Sequence, residues 1–212
     1  MKALVSCEFS GKVRDALIAR GIDAISCDLL PTERPGPHYQ GDVRDIIDDD
    51  WDILVAHPPC TYLANSGAKH LYAGGKKENG LALQRWYGLD AAAAFFRLHL
   101  GASHIPKRIV ENPIPHSHAV ARIGRKADQI VQPWQFGHKE MKATCFWLEG
   151  VDPITPTNIV GPPPKCEVER RQWAKVHRAP PSADRWKIRS MTYDGIAKAI
   201  AAQLSGSEKG EE

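Results

Sequence analysis

One cysteine in this chain is placed for covalent chemistry. His57-Pro58-Pro59-Cys60-Thr61-Tyr62 follows a short apolar run, so two prolines stiffen the chain just before a thiol. Rigid presentation is what a nucleophile needs. A free thiol has a pKa near ~8.5, so it must be activated by a local positive charge or field. The alternative is a small buried residue, a common role for cysteine. A carboxyl group follows a second apolar run, in Val110-Glu111-Asn112-Pro113. At a neighbouring strand end Glu111 could face Cys60, and if kept protonated it could donate to a ring nitrogen of a heterocycle. A helix cap or a surface ion pair is its other reading.

Three further positions suit a nucleoside. Cys7-Glu8-Phe9-Ser10-Gly11 runs from an apolar stretch into a helix, and Gly11 permits a tight turn or close approach of the backbone to a ligand. This is neither a full G-x-G-x-x-G nor a Walker A sequence. Asp28 lies about twenty residues past that turn, where an acid accepts hydrogen bonds from ribose hydroxyls. Asp42, in Gly41-Asp42-Val43-Arg44, follows a loop that could bring it to an adenine edge. Either Asp could instead serve a turn or a helix cap. Together with the first turn they point to an adenosine-containing cofactor.

These groups can meet only if the elements bring strand ends to one place. Short apolar runs predict strands at 2–7, 24–27 (closed by Asp28), 52–56 (stopped by Pro58-Pro59), 108–111 (stopped by Pro113) and 144–148. Helical spacing covers 11–20, with Gly21 capping its end. A long Ala-rich helix is expected at 81–100 and a closing amphipathic helix at 192–204, with Ile196, Ala199, Ile200 and Leu204 on one face. Strands alternating with helices predict an α/β, Rossmann-like fold: a mostly parallel sheet with helices on both faces. In such sheets ligands bind beyond the carboxyl ends of the strands.

The 212 residues fit one such domain over 1–204, with a polar tail at 205–212. Hydrophobic content of 42% and charged content of 25% are those of a globular protein rather than a disordered one. The most apolar run, 89–100, is interrupted by Asp90, Arg97 and His99 and is too short to cross a bilayer. The opening residues run straight into a strand, so no signal peptide is expected. Five widely spaced cysteines without a C-x-x-C pair argue for a reducing cytoplasm rather than a disulfide framework or a zinc ribbon. His116-x-His118 lacks cysteine or acidic partners at ligand spacing, so no metal is expected.

The formal charge of +3 is unevenly spread. Residues 165–189 hold eight basic and three acidic side chains, so that window is net +5 and the rest of the chain is net −2. It interleaves Trp173, His177 and Trp186, and it follows a Pro-rich run that begins at Pro153. Cations with aromatics suit a phosphate backbone and stacked bases. Arg170, Arg171, Lys175, Arg178 and Arg185 are the candidate DNA-binding residues; a solvated segment with two packed tryptophans is the other reading.

The order of these features resembles the DNA cytosine carbon-5 methyltransferases, a class I S-adenosylmethionine-dependent group, and most of all its short phage-type members. The resemblance spans nearly the whole chain. Pro59-Cys60 and Glu111-Asn112 are its most specific parts. It implies that Phe9, Ser10, Gly11 and Pro58 line the cofactor's methionine and ribose region, that Asp28 binds the ribose and that Asp42 accepts from the adenine amine. It implies that Cys60 attacks carbon 6 of cytosine and that Glu111 contacts ring nitrogen 3 and the exocyclic amine. Glu140-Met141-Lys142-Ala143-Thr144 stands where the family has Gln-x-Arg-x-Arg, so Lys142 would replace an arginine, with Arg85 and Lys139 as other substitutes. Ser190-Met191-Thr192-Tyr193 looks like the family's final motif, which returns to the cofactor pocket.

The chain departs from the family at Pro59-Cys60-Thr61 (usually Pro-Cys-Gln) and at Glu111-Asn112-Pro113 (usually Glu-Asn-Val). It has no separate target-recognition domain, only the Pro-rich basic stretch 153–189 in its place. That implies a short or relaxed recognition sequence, as in phage or restriction-modification enzymes, and a monomer is favoured. The base would be flipped out of the duplex. The Gly- and Lys-rich segment 65–80 would be a mobile loop closing over it. Two alternatives keep the fold: methylation of free cytosine nucleotides, and a non-catalytic DNA or cofactor binder.

Overall fold

The computed structural model describes residues 1–176, 178–183 and 185–206. Seven strands make one sheet: β1 (Lys2–Ser6), β2 (Asp23–Asp28), β3 (His38–Gln40), β4 (Ile53–Ala56), β5 (Lys107–Pro113), β6 (Gln129–Val131) and β7 (Thr144–Glu149). Their order is β3-β2-β1-β4-β5-β7-β6. The first five strands pair in parallel, while β7 runs antiparallel to both β5 and β6. This is a Rossmann-like α/β sheet, mostly parallel, with helices on both faces.

Strand residues alternate between two cores because successive side chains of a strand point to opposite faces. On one face Ala3, Val5, Ile53, Val55, Ile109 and Phe146 pack against two helices, α1 (Lys12–Ile18) and the C-terminal Asp194–Leu204. On the other face Leu4, Leu54, Val110 and Trp147 pack against α2 (Leu83–Gly101) and α3 (Ser117–Ile123). All four residues of β4 are buried, which is why it reads as a continuous apolar run rather than an alternating one. Two short helices, α4 (Glu167–Gln172) and α5 (Arg185–Ser190), lie between β7 and the C-terminal helix, which is α6.

Several elements differ from expectation. β3 and β6 have only three residues each, too few for a periodic signal, and α3 follows a loop rich in proline and histidine. β5 runs on to Pro113, which takes its last position opposite Thr144; a residue without an N–H is tolerated at a strand end. α1 ends at Ile18, and Gly21 turns the chain beyond it at φ +76°. α6 begins two residues later than expected, after Tyr193. The Gly- and Lys-rich segment 65–80 holds three short 3-10 turns (Asn65–Leu71, Ala73–Gly75, Lys77–Asn79). Within it Leu71 is buried, and its carbonyl accepts from the Trp86 indole at 2.8 Å. Of the expected tail, only Ser205 and Gly206 are described; residues 207–212 lie outside the described residues, as does His177.

An unexpected feature braces the first turn. Arg14 is fully buried, and its guanidinium bonds Asp15, Ser26 and Thr32 and the carbonyls of Arg34, Pro35 and Pro37. It thereby fastens the Pro-rich loop 31–37 beside β2. Gly11 adopts φ +69°, and a Cβ there would stand 2.5 Å from the Arg14 Nη2. Glycine is required at that turn by both its backbone and its neighbour.

Candidate active site

The sheet reverses its winding between β1, which leads to β2 and β3 on one side, and β4, which leads to β5 on the other. The crevice beyond the carboxyl ends of the strands at such a point is where open α/β sheets hold ligands. A cleft opens there, lined from β1 by Cys7 to Ser10, from β4 by His57 to Cys60, and from β5 by Glu111 to Pro113.

Local forces explain each placement. The His57 N–H donates to the Ser6 carbonyl at 2.9 Å, so β4 is held beside β1 to its last residue. Pro58 and Pro59 have no N–H and cannot extend the ladder. The Cys60 carbonyl then accepts from Leu63 and Ala64 at 3.0 and 2.9 Å, turning the chain. Buried Asn112 donates through Nδ2 to the Pro58 carbonyl at 3.0 Å and fixes the proline turn to β5. In the β4–β5 register Ala56 pairs with Val110, so His57 comes opposite Glu111. Its Nδ1 stands 2.9 Å from Glu111 Oε2. β7 is antiparallel, with Thr144 opposite Pro113, so the residues just before β7 arrive at the same end of the sheet. That reversal delivers Lys142, whose buried Nζ donates to the Met191 carbonyl at 3.2 Å.

The electrostatics differ from expectation at two groups. Burial raises the Glu111 carboxyl, but the His57 hydrogen bond and the charges of His57 and Lys142 outweigh it and hold the group below its ordinary value. Burial opposes charge on His57, yet the hydrogen bond and charge of Glu111 raise it above its ordinary value. The contact thus favours charge on both partners, the opposite direction from the protonated Glu111 that the sequence left open. For Cys60, burial raises the thiol and Glu111 raises it further, against Lys142 and Arg189, which lower it. The positive charges expected near the nucleophile are present. They are outweighed by burial first and by the charge of Glu111 second.

The cofactor candidates are placed unequally. Phe9 and Ser10 line the cleft and are buried, as is Pro58. Gly11 begins α1 just behind them. Asp28 ends β2, next to β1, and accepts from the Leu30 N–H at 2.9 Å; burial raises its carboxyl. Asp42 does not present a free carboxylate. It caps a 3-10 turn through the Arg44 N–H, and the Arg44 side chain grips it at 3.0 and 2.6 Å, which holds its pKa down to about 2. An Arg two residues after an Asp was the signal for that local cap.

Sequence reasoning missed three contributors. Cys7 adopts φ +57°, a conformation uncommon for a residue with a side chain, at the mouth of the cleft. Glu8 is buried and accepts from the Val13 and Arg14 N–H groups at 2.6 and 3.2 Å, so it satisfies the start of α1. Arg189, counted only as part of the basic window, lines the cleft with Ser190, Met191 and Thr192.

The basic window divides into two parts. α5 packs over the first turn, with Trp186 5.7 Å from Phe9 between ring centroids and Lys187 ion-paired with Glu33. Arg185 is half-buried and donates to the Ala179 carbonyl at 2.8 Å. Arg170, Arg171, Lys175 and Arg178 are exposed outside the cleft, and Arg171 pairs with Glu167. This part is anchored near Lys142, because Met141 N–H donates to the Trp173 carbonyl at 2.6 Å and buried Glu140 accepts from Val176 at 3.1 Å. Arg85 stacks on Tyr62 and donates to the Thr61 carbonyl, and Lys139 is exposed; neither lines the cleft.

No protein-family model matches the chain, and no curated protein matches it by sequence. Solved structures do match it in shape. One is described as a DNA modification methyltransferase encoded within a prophage of E. coli, at 13% identity and a TM-score of 0.46 over 75% of this chain and 51% of that one. Another is a mutant of Spodoptera frugiperda DNMT2, at 12% identity and a TM-score of 0.39 over 77% of this chain and 55% of that one. The chain spans about half the length of these solved structures. Among the described residues there is no cluster of three or more metal-ligating side chains, and no helix is long and apolar enough to cross a membrane.

Proposed function

We propose that this chain is an S-adenosylmethionine-dependent DNA methyltransferase that acts on carbon 5 of cytosine through a bond between Cys60 and carbon 6. The observation that carries this is the convergence of Cys60, Glu111, His57 and Lys142 in one cleft at the ends of adjacent strands. Thiol, carboxylate and cation there match what the chemistry asks: a nucleophile for carbon 6, a proton-exchanging group for nitrogen 3 and a positive charge for the carbonyl.

The residues at the β1 and β2 ends fit this cofactor. Glu8 occupies the amides at the start of α1 that a phosphate would otherwise take. That favours a nucleoside without phosphates over a dinucleotide. At the end of β2, Asp28 would accept from the ribose hydroxyls. Asp42 serves the adenine only if Arg44 releases it. When bound, S-adenosylmethionine supplies an electrophilic methyl group on a sulfonium.

The chain's own residues make cytosine reactive. Cys60, having lost its proton to solvent, adds to carbon 6, and the ring electrons shift toward nitrogen 3. Glu111 manages the proton at nitrogen 3, and Lys142 faces the developing charge. Carbon 5 thereby becomes the nucleophile. Loss of its proton and departure of Cys60 restore the aromatic ring. Residues 1–204 act as one domain. Exposed Arg170, Arg171, Lys175 and Arg178, beside the loop that carries Lys142, support the DNA backbone, with Arg185 shoring up α5.

The test is to incubate the protein with a labelled methyl donor and either duplex DNA or cytidine monophosphates, then digest and separate the nucleosides. Label in 5-methyldeoxycytidine from the duplex is expected. Label only in free nucleotides would shift the substrate, and none in either would overturn the proposal.

A further inference from the structure

The proposed reaction leaves one buried ionisable group unexplained. His57 stands immediately before the Pro58-Pro59-Cys60 turn, and its ring touches Glu111 rather than the reacting thiol. Only about a tenth of each side chain is exposed (9% for His57 and 13% for Glu111), so solvent has little access to the proton they share. The second ring nitrogen, Nε2, is buried and has no hydrogen-bond partner among the described residues. Among the described residues, the imidazole is thus held by one side-chain hydrogen bond, the one to Glu111.

Resting on the methyltransferase reading above, we propose that His57 is the proton source of Glu111. It is a positioning residue that acts through the carboxyl group. At rest the proton sits on His57 Nδ1 and Glu111 is a carboxylate. As the Cys60 thiolate forms its bond to carbon 6, the electron pair of the carbon 5–carbon 6 double bond moves through carbon 4 to nitrogen 3. Nitrogen 3 takes a proton from Glu111, and Glu111 takes one from His57 Nδ1, leaving the imidazole neutral. On elimination the carbon-5 proton goes to solvent, the carbon 6–sulfur bond breaks, and the nitrogen-3 proton returns through Glu111 to His57. No proton or electron is left over.

The surroundings favour that resting state. Glu111 faces His57 from β5 and Glu8 from the turn after β1, and both favour its charge; Lys142, from the segment before β7, opposes it. His57 in turn acts on Asp28 at the end of β2. His99 of α2, buried and held down to about 4, stays neutral beside it and does not compete for the proton. The arrangement also couples the two ends of the reaction. Moving the proton from His57 to Glu111 removes the negative charge that raises Cys60, so the thiolate is favoured when the acid is armed.

The test compares wild type with His57→Asn, whose amide N–H keeps the bond to Glu111 but cannot ionise. Single-turnover adduct formation on 5-fluorocytosine duplex DNA with the methyl donor is followed across pH. Dependence on Cys60 ionisation cancels in the ratio of the two proteins. The wild-type-to-variant ratio should rise roughly tenfold from about pH 5 to about pH 7.5, where Glu111 alone can no longer hold a proton. A ratio constant with pH overturns the role of His57 while leaving the methyltransferase reading intact. No adduct with wild type at any pH overturns that reading and the relay with it. A readout free of catalysis is NMR titration of the His57 ring in the full chain. It should titrate above an ordinary histidine and fall in Glu111→Gln; an unshifted ring would also overturn the proposal.

Discussion

The strand-end cleft and the basic segment before α6 carry charge in opposite ways. In the cleft the ionisable groups are few, buried and matched: His57 to Glu111, with Lys142 close by and bonded to a backbone carbonyl. In the segment from Lys165 to Arg178 the cations are many and exposed, on a six-residue helix and the turns after it. The contrast follows from the tasks proposed for them. A covalent step needs groups held in place before the substrate arrives, which the ends of paired strands supply. Attraction to a polyanion needs only charge density, which a short helix and turns supply well enough.

Substitutions should separate the two regions. Cys60→Ser should cost the most, lowering turnover by roughly 10³-fold or more while donor binding, measured by calorimetry, persists. Undiminished methylation would remove the nucleophile from the account. Lys142→Met, close to isosteric, should lower single-turnover kcat by about 10²-fold with little change in DNA affinity. A loss confined to affinity would move Lys142 from the cleft's chemistry to the DNA surface. Neutralising Arg170, Arg171 and Lys175 together should do the reverse. Single-turnover kcat should hold, DNA binding should weaken, and the slope of log affinity against log salt should flatten by about 0.9 for each phosphate no longer neutralised. An unchanged slope would show that the exposed segment is not the DNA surface.

The smallest effect is on stability and tests the pairing in the cleft. Because His57 is raised on folding, its contribution is complete below its ordinary value of 6.5 and is lost as pH rises through the folded value. Because Glu111 is lowered, its contribution is complete above its ordinary value of 4.5 and is lost as pH falls through the folded value. The stability gap between wild type and Glu111→Gln should therefore be widest between those values and narrow on both sides. A gap that does not vary with pH would mean that the two groups are not an ion pair.

The same contrast explains what the amino-acid sequence could show by itself. Cys60 and Glu111 stood out because Glu111 directly follows an apolar run and Cys60 follows one after His57-Pro58-Pro59, and a parallel sheet gathers such positions at one end. Lys142 came from resemblance rather than pattern, since only the antiparallel course of β7 brings it there. His57 was in plain view as the residue before Pro58. Its role stayed hidden because it depends on the register that sets it against Glu111, and register is a property of two strands. Arg189 was lost among similar charges, and nothing local marks it as the one that reaches the cleft. Asp42 shows the opposite difficulty: a local partner, Arg44, holds the carboxylate to which a distant role was assigned. β3 and β6 were too short to show a period.

The central claim is a bond between Cys60 and cytosine. Duplex DNA carrying 5-fluorocytosine tests it most directly, because fluorine at carbon 5 cannot leave as a proton does, and the adduct stays closed once the methyl group has arrived. Intact mass spectrometry followed by peptide mapping should find protein and DNA joined through the peptide that contains Cys60, only when the methyl donor is present, and not in Cys60→Ser. Methylation of ordinary DNA without any such adduct, or an adduct mapped to another of the five cysteines, would contradict it.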